Sequence, residues 1–230
     1  MKNSMKRLIL IGLLAVIIVI AAVILLQKDL DVVGKESVTS FGAVLSAAPD
    51  KVTPDETNGG WSLAAPDGTA RFIWSRDYSK SPMHDVMLEL DAQPFLDAGL
   101  DTSKLPDSFA FYDGKLMVGT KLGKDAFTYK GEVTPLASYE QIVSKYRDSV
   151  GYHAALDHYN VNVGNGNLFE WAKDMGKNDK DIVFVLNPEP FITAGVDPNA
   201  VAGWVFAKVS VDVDGKPTEV DKLLKPFDLK

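Results

Sequence analysis

Cysteine is absent from all 230 residues of the chain. Disulfides, thiolate metal ligands, cysteine nucleophiles and iron–sulfur clusters are therefore excluded. Histidine is scarce, with three residues. The 24 Lys and Arg residues are outnumbered by 31 Asp and Glu residues, which gives a net charge of −7. Because a nucleic-acid binder normally has a basic surface, we expect no nucleic-acid partner.

The familiar catalytic signatures are missing as well. The sequence has no Gly-x-Ser-x-Gly elbow, no Ser-x-x-Lys motif, no Walker loop and no complete dinucleotide fingerprint. Hydrophobic residues make up 46% and charged residues 24% of the chain, as in ordinary globular proteins. We therefore predict a folded, non-catalytic protein that needs no cofactor.

One long apolar run lies near the N-terminus, over residues 8–26. A run of about 20 apolar residues spans a bilayer, and residues 1–7 contain three basic and no acidic side chains. The positive-inside rule predicts a cytoplasmic tail at 1–7, a single-pass anchor at 8–26 in the cell membrane, and an extracytoplasmic globular part. A cleaved signal peptide is the alternative, but the run continues past its only pair of small residues, Ala21 and Ala22.

After a linker at 27–37, the remaining chain resembles itself, with copies at 38–133 and 134–230. The same residue types recur at offsets of 96 to 98 positions. The matching pairs are Ser40 and Ser138, Phe72 and Phe169, Trp74 and Trp171, Leu90 and Leu186, Pro94 and Pro190, Phe95 and Phe191, Ala98 and Ala194, Gly99 and Gly195, and Asp101 and Asp197. Such self-similarity predicts two tandem copies of one unit.

Each copy has the same local pattern, which predicts an α-β-β-β-α-β-β unit. A helix comes first, at Val38–Ala48 or Ser138–Val150, with Ser40 and Ser138 as N-caps. Strands follow around turn sequences, and a short helix ends at Gly99 or Gly195. The hairpin-rich connections predict an α+β fold with mainly antiparallel sheets.

The predicted strands of the two copies lie at corresponding places. They are Trp61–Ala65 and Ala70–Trp74, His158–Val163 and Leu168–Trp171, Val86–Leu90 and Ile182–Leu186, and a strand pair around Asp113-Gly114 or Asp214-Gly215. The last turn also resembles a calcium loop, but its flanks alternate like strands, which favours a hairpin. The polar ranges Pro49–Gly60 and Arg147–Leu156 are predicted to be loops.

Five residues form the predicted ligand-binding set. Long loops in compact domains often carry function, and the second such loop contains Tyr152 and His153. The set also includes Trp61 after the first loop, and the matching basic residues Arg76 and Lys173, each followed by aspartate. A strand-end ion pair is the more ordinary interpretation of these basic–acidic pairs.

A metal site is the alternative use of the histidines. Catalytic zinc needs three protein ligands and an open position. His153 and Asp157 are four residues apart, and His158 and His84 could complete the set, although no His-Glu-x-x-His motif is present.

The leading hypothesis is a membrane-anchored extracytoplasmic binding or interaction protein. Its partner would be an envelope protein or a small molecule. A metal-dependent envelope enzyme using His153, Asp157 and His158 is one alternative. A structural assembly or spacer subunit is another.

Overall fold

The structure is a computed structural model that describes residues 31–56, 59–76, 84–122, 133–177, 180–213 and 216–229. The predicted anchor at 8–26 lies outside the described residues. No helix in these ranges is long and apolar enough to cross a membrane.

Among its described residues, the first half contains two α-helices and six strands. Helix α1 covers residues 31–47, and the short helix α2 covers Gln93–Asp97. The strands are β1 Val52–Asp55, β2 Gly60–Ala64, β3 Ala70–Trp74, β4 Val86–Asp91, β5 Phe109–Tyr112 and β6 Lys115–Thr120.

The second half contains the same kinds of elements. Helix α3 covers Pro135–Lys145, and the short helix α4 covers Glu189–Thr193. The strands are β7 Val150–His153, β8 His158–Gly164, β9 Asn167–Ala172, β10 Ile182–Leu186, β11 Val205–Val213 and β12 Lys216–Phe227.

Each half forms one six-stranded antiparallel sheet. The strand order is β1-β2-β3-β4-β6-β5 in the first sheet and β7-β8-β9-β10-β12-β11 in the second. Counted from the start of each half, the two orders are identical. The α+β class with antiparallel sheets is thus confirmed, including the strand pair before and after Asp113-Gly114 and its counterpart β11–β12, whose turn lies outside the described residues.

The predicted loops at Pro49–Gly60 and Arg147–Leu156 are wrong in part. Each range contains a 3-10 turn followed by an edge strand, β1 or β7. Val52 pairs with Leu63, and Val150 pairs with Val161. An edge strand is bonded on one side and half exposed, so its composition resembles that of a loop.

The helix starts also differ from the prediction. Residues 31–37, assigned to a linker, already belong to α1. Helix α3 begins at Pro135, and its N-cap is Thr134, whose hydroxyl accepts a hydrogen bond from Ala137 N at 3.1 Å. Ser40 and Ser138 lie inside the helices, where both are buried, so neither is an N-cap.

Instead, the two serines join the halves. Ser40 of α1 donates to Ala172 O at 2.9 Å at the end of β9 in the second sheet. Ser138 of α3 donates to Ser75 O at 2.6 Å, directly after β3 in the first sheet. Each helix is therefore bonded to the sheet of the other half.

Most of the buried apolar side chains belong to one hydrophobic core that includes both halves. Phe95 of α2 and Phe191 of α4 stack with centroids 4.8 Å apart. Beside them the backbones exchange hydrogen bonds, from Asp101 N to Ala194 O at 2.8 Å and from Asp197 N to Ala98 O at 2.9 Å. The halves are thus joined through the core and through a reciprocal backbone bridge.

Candidate functional site

A cavity of about 350 Å³ lies on the outer face of the second sheet; we call it the outer pocket. Alternation along β9 explains its position, because successive strand residues point to opposite faces. Phe169 and Trp171 point into the core, whereas Leu168 and Glu170 line the outer pocket. Volumes of about 300–1,000 Å³ are typical of small-molecule sites.

The floor of the outer pocket is apolar. Leu168, Val185 and Leu224 line it from β9, β10 and β12. Val185 is paired with both of the others in the sheet register, so the three side chains lie side by side across three neighbouring strands. Together they offer an apolar surface to a ligand.

Two segments form the walls. Val209, Val211 and Pro217 contribute from the β11–β12 hairpin, and residues 154–156 contribute from the turn between β7 and β8. His153 of β7 connects these two walls, because its Nε2 lies 2.9 Å from the backbone oxygen of Ser210 in β11. Strands β7 and β11 are the opposite edges of the sheet, so the sheet curves until its edges meet at this hydrogen bond.

A group of three ionisable side chains, two of them buried, adjoins the outer pocket. His153 and His158 are direct partners in the β7–β8 register. Glu170 Oε2 lies 3.5 Å from His153 Nδ1 and 3.8 Å from His158 Nδ1. His158 and Glu170 are 3% and 2% exposed, so solvent barely screens this group.

The hydrogen-bond acceptors determine which ring nitrogen of each histidine carries a proton. A carbonyl oxygen only accepts, so Nε2 of His153 donates to Ser210 O and Nε2 of His158 donates to Lys180 O at 3.1 Å. In a neutral ring of this tautomer, Nδ1 carries a lone pair and would repel the Glu170 carboxylate. A protonated histidine next to the carboxylate removes this repulsion.

The pKa directions agree with such an ion pair. The Glu170 carboxylate, 3.5 Å from Nδ1, raises the pKa of His153 above its usual 6.5, against the opposing effect of burial. Burial by itself would raise the pKa of Glu170, but the two histidines outweigh it and leave the pKa below its usual 4.5. Glu170 is thus an anion whose charge is balanced mainly by His153.

The corresponding face of the first sheet has a different chemistry. Arg71 occupies the place of Leu168, and Glu89 occupies the place of Val185. The Arg71 guanidinium binds Glu89 through two hydrogen bonds of 3.0 and 2.9 Å, and its Nη1 lies 3.3 Å from Asp55 Oδ2. Where the first sheet has an ion-pair cluster, the second has the apolar floor of the outer pocket.

The structure separates the five predicted ligand-binding residues. Tyr152 and His153 line the outer pocket. Lys173 forms an ion pair with Glu36 of α1 at 2.9 Å. Trp61 packs on Trp74 in the first half, with centroids 6.3 Å apart.

Arg76, the fifth member of the ligand-binding set, is exposed after β3 in the first half. The outer pocket therefore involves Tyr152 and His153 of the predicted set, and neither Trp61, Arg76 nor Lys173 lines it.

Three of the four predicted metal ligands lie in the β7–β8 hairpin, and His84 lies apart from them in the first half. His84 precedes β4 in the first half, and Asp157, in the β7–β8 turn, accepts a hydrogen bond from Tyr152. His153 and His158 are neighbours, as described above. Among the described residues, no group of three or more His, Asp or Glu side chains is arranged to hold a metal ion.

Sequence reasoning missed Glu170 and Lys222, both of which line the outer pocket. Glu170 is the middle residue of Phe169-Glu170-Trp171, where the first half has Ile73. An acidic residue replacing an apolar one between two core aromatics is a signal that the sequence offered. Lys222 had no such signal, because only the strand register places it beside the outer pocket.

Comparisons with protein-family models, with curated proteins and with solved structures found no match for this chain.

Proposed function

We propose that this chain is a membrane-anchored, extracytoplasmic and non-catalytic binding protein, and that the outer pocket holds its small-molecule ligand. The observation that carries the proposal is the cavity of about 350 Å³ with an apolar floor and a few polar groups at its side. That combination is typical of ligand sites, where apolar area provides affinity and polar groups provide orientation. The anchor predicted at residues 8–26 would place this site outside the cytoplasm.

We further propose that the two halves are tandem copies of one ancestral unit, with the order α-β-β-β-β-α-β-β. Support comes from the equal strand order of the two sheets. It also comes from matching contacts, such as the stacked pairs Phe72–Phe169 and Phe95–Phe191. In this history the first copy keeps an ion-pair cluster on its outer face, and the second copy has acquired the outer pocket.

Blocking the outer pocket tests the binding proposal. Leu168→Trp places a bulky ring on the floor, whereas Ile192→Trp adds the same ring to an exposed position of α4. The full chain is purified in mild detergent, and native mass spectrometry identifies small molecules that remain bound. We expect a co-purifying ligand in the unchanged protein and in the Ile192→Trp variant, and its loss in Leu168→Trp.

Equal ligand retention by both variants would overturn the assignment of the outer pocket. Metal analysis of the same samples addresses the enzyme alternative. Stoichiometric zinc that is lost in His153→Ala would overturn the non-catalytic function.

A further inference from the structure

Lys222 brings a positive charge beside the apolar floor of the outer pocket. It lies on β12, is half-buried, and lines the cavity. Its ammonium group donates to Gly166 O at 2.9 Å. Since an ammonium group has three N–H donors, this hydrogen bond leaves two for another partner.

The carboxylate whose charge acts on Lys222 is that of Glu170, and the two side chains do not form an ion pair. In the described part of the chain, the ion pairs of Glu170 are with His153 and His158, and none connects a carboxylate to Lys222. Burial lowers the pKa of Lys222, and the distant charge of Glu170 only opposes this effect. A second anion close to the ammonium group would therefore be stabilised.

The first half shows what has changed at this position. There the corresponding lysine, Lys115, is paired in the strand register with Asp91, an acidic residue. In the second half the counterpart of Asp91 is Asn187, whose amide donates to Asn165 O at 3.2 Å. The lysine is retained while the neighbouring acid is replaced by a neutral side chain.

The distribution of charge also disfavours a cationic ligand. A cation in the outer pocket would meet the ammonium group of Lys222, while Glu170 already has His153 and His158 beside it. An anion would meet Lys222 in surroundings of low polarity, where charge-assisted hydrogen bonds are strong. The walls from Val209, Val211 and Pro217 would contact the apolar part of the same molecule.

We propose that the outer pocket binds a small acidic amphiphile, with its carboxylate on Lys222 and its hydrocarbon part on the floor of Leu168, Val185 and Leu224. This inference rests on the proposed function and specifies the ligand class of the same site.

Three probes of equal chain length test the ligand class: octanoate, 1-octanol and octylamine. Isothermal titration calorimetry of the full chain in mild detergent measures each affinity, and the Leu168→Trp variant provides the background of micelle partitioning. We expect octanoate to bind at least about tenfold more tightly than the alcohol, and octylamine to bind most weakly.

Two matched variants assign the effect to one lysine. Lys222→Gln should weaken octanoate binding by about 10- to 100-fold and leave 1-octanol unchanged. Lys216→Gln, an exposed position of the same strand, should change neither affinity.

The outcomes separate this inference from the proposed function. If the alcohol or the amine binds as tightly as octanoate, or if Lys222→Gln has no effect, the acidic ligand class is wrong while the binding function stands. If none of the three probes binds above the Leu168→Trp background, neither the ligand class nor the outer pocket as a small-molecule site is supported, and both are overturned.

Discussion

Phe72 of the first sheet and Phe169 of the second stack face to face, with ring centroids 4.3 Å apart and planes inclined by 5°. Both side chains are fully buried. They occupy corresponding positions in the two halves, so equivalent side chains contact each other in the core that both halves share. Offset or stacked aromatic pairs of this kind contribute beyond their buried area.

This stack should be a main source of stability. Phe72→Ala or Phe169→Ala should each lower the free energy of unfolding by about 3–5 kcal/mol, because a large cavity forms in the core. The double variant should cost less than the sum of the two, by about 1 kcal/mol, since the pair interaction is lost only once. Urea denaturation measures both effects. Phe111→Ala, at a residue 46% exposed, is the control and should stay within about 0.5 kcal/mol.

The hydrogen bonds that Ser40 and Ser138 each donate to the opposite half lead to a second prediction. Ser40→Ala and Ser138→Ala should each destabilise the protein by about 1–2 kcal/mol, because buried carbonyl groups of the other half lose a donor. Ser46→Ala is the matched control, since its exposed hydroxyl bonds within its own helix to Gly42 O. If Ser40→Ala is as mild as Ser46→Ala in thermal denaturation, the hydrogen bond from α1 does not hold the halves together.

The bridge between the short helices makes a third prediction. Gly99 has φ +102°, and a Cβ there would lie 2.8 Å from Gly195 O. Gly99→Ala should therefore cost about 2–4 kcal/mol, from an unfavourable backbone region and a steric clash together. Gly68→Ala is the control, with φ +70° but open space around the site, and should cost about 1 kcal/mol. Equal costs in chemical denaturation would show that the close approach to Gly195 has no energetic weight.

The buried ion pair makes stability depend on pH. The raised pKa of His153 stabilises the folded state below its usual value of 6.5, and this contribution is lost as the pH rises through the raised pKa. The lowered pKa of Glu170 stabilises the folded state above its usual value of 4.5, and this contribution is lost as the pH falls through the lowered pKa. The pair therefore contributes most between these two values.

Glu170→Gln tests that dependence. It should lower the free energy of unfolding by about 1–3 kcal/mol at about pH 5.5, and by less at about pH 8.5, where a smaller fraction of His153 is protonated. Glu140→Gln makes the same chemical change at an exposed position of α3, and its effect should not vary between the two pH values. A pH-independent effect of Glu170→Gln would contradict the ion pair.

The order of elements, apart from one edge strand in each half, could be predicted from the sequence because its signals are local. Glycine-containing turns such as Asp113-Gly114 connect strands, and the apolar runs of β4 and β10 indicate central strands. Edge strands β1 and β7 were missed, because a strand bonded on one side has the composition of a loop. The first helix was predicted too short, since the linker residues 31–37 carry no strong boundary signal.

The sequence by itself determined the class of fold and the absence of thiol chemistry, since these follow from residue identity and spacing. Only the tertiary structure decided that α1 and α3 are bonded to each other's sheets and that Glu170, His153 and His158 meet. It alone placed Lys222 beside the apolar floor of the outer pocket. These relationships join residues far apart in the chain, and they depend on strand register and sheet curvature, which local sequence patterns do not specify.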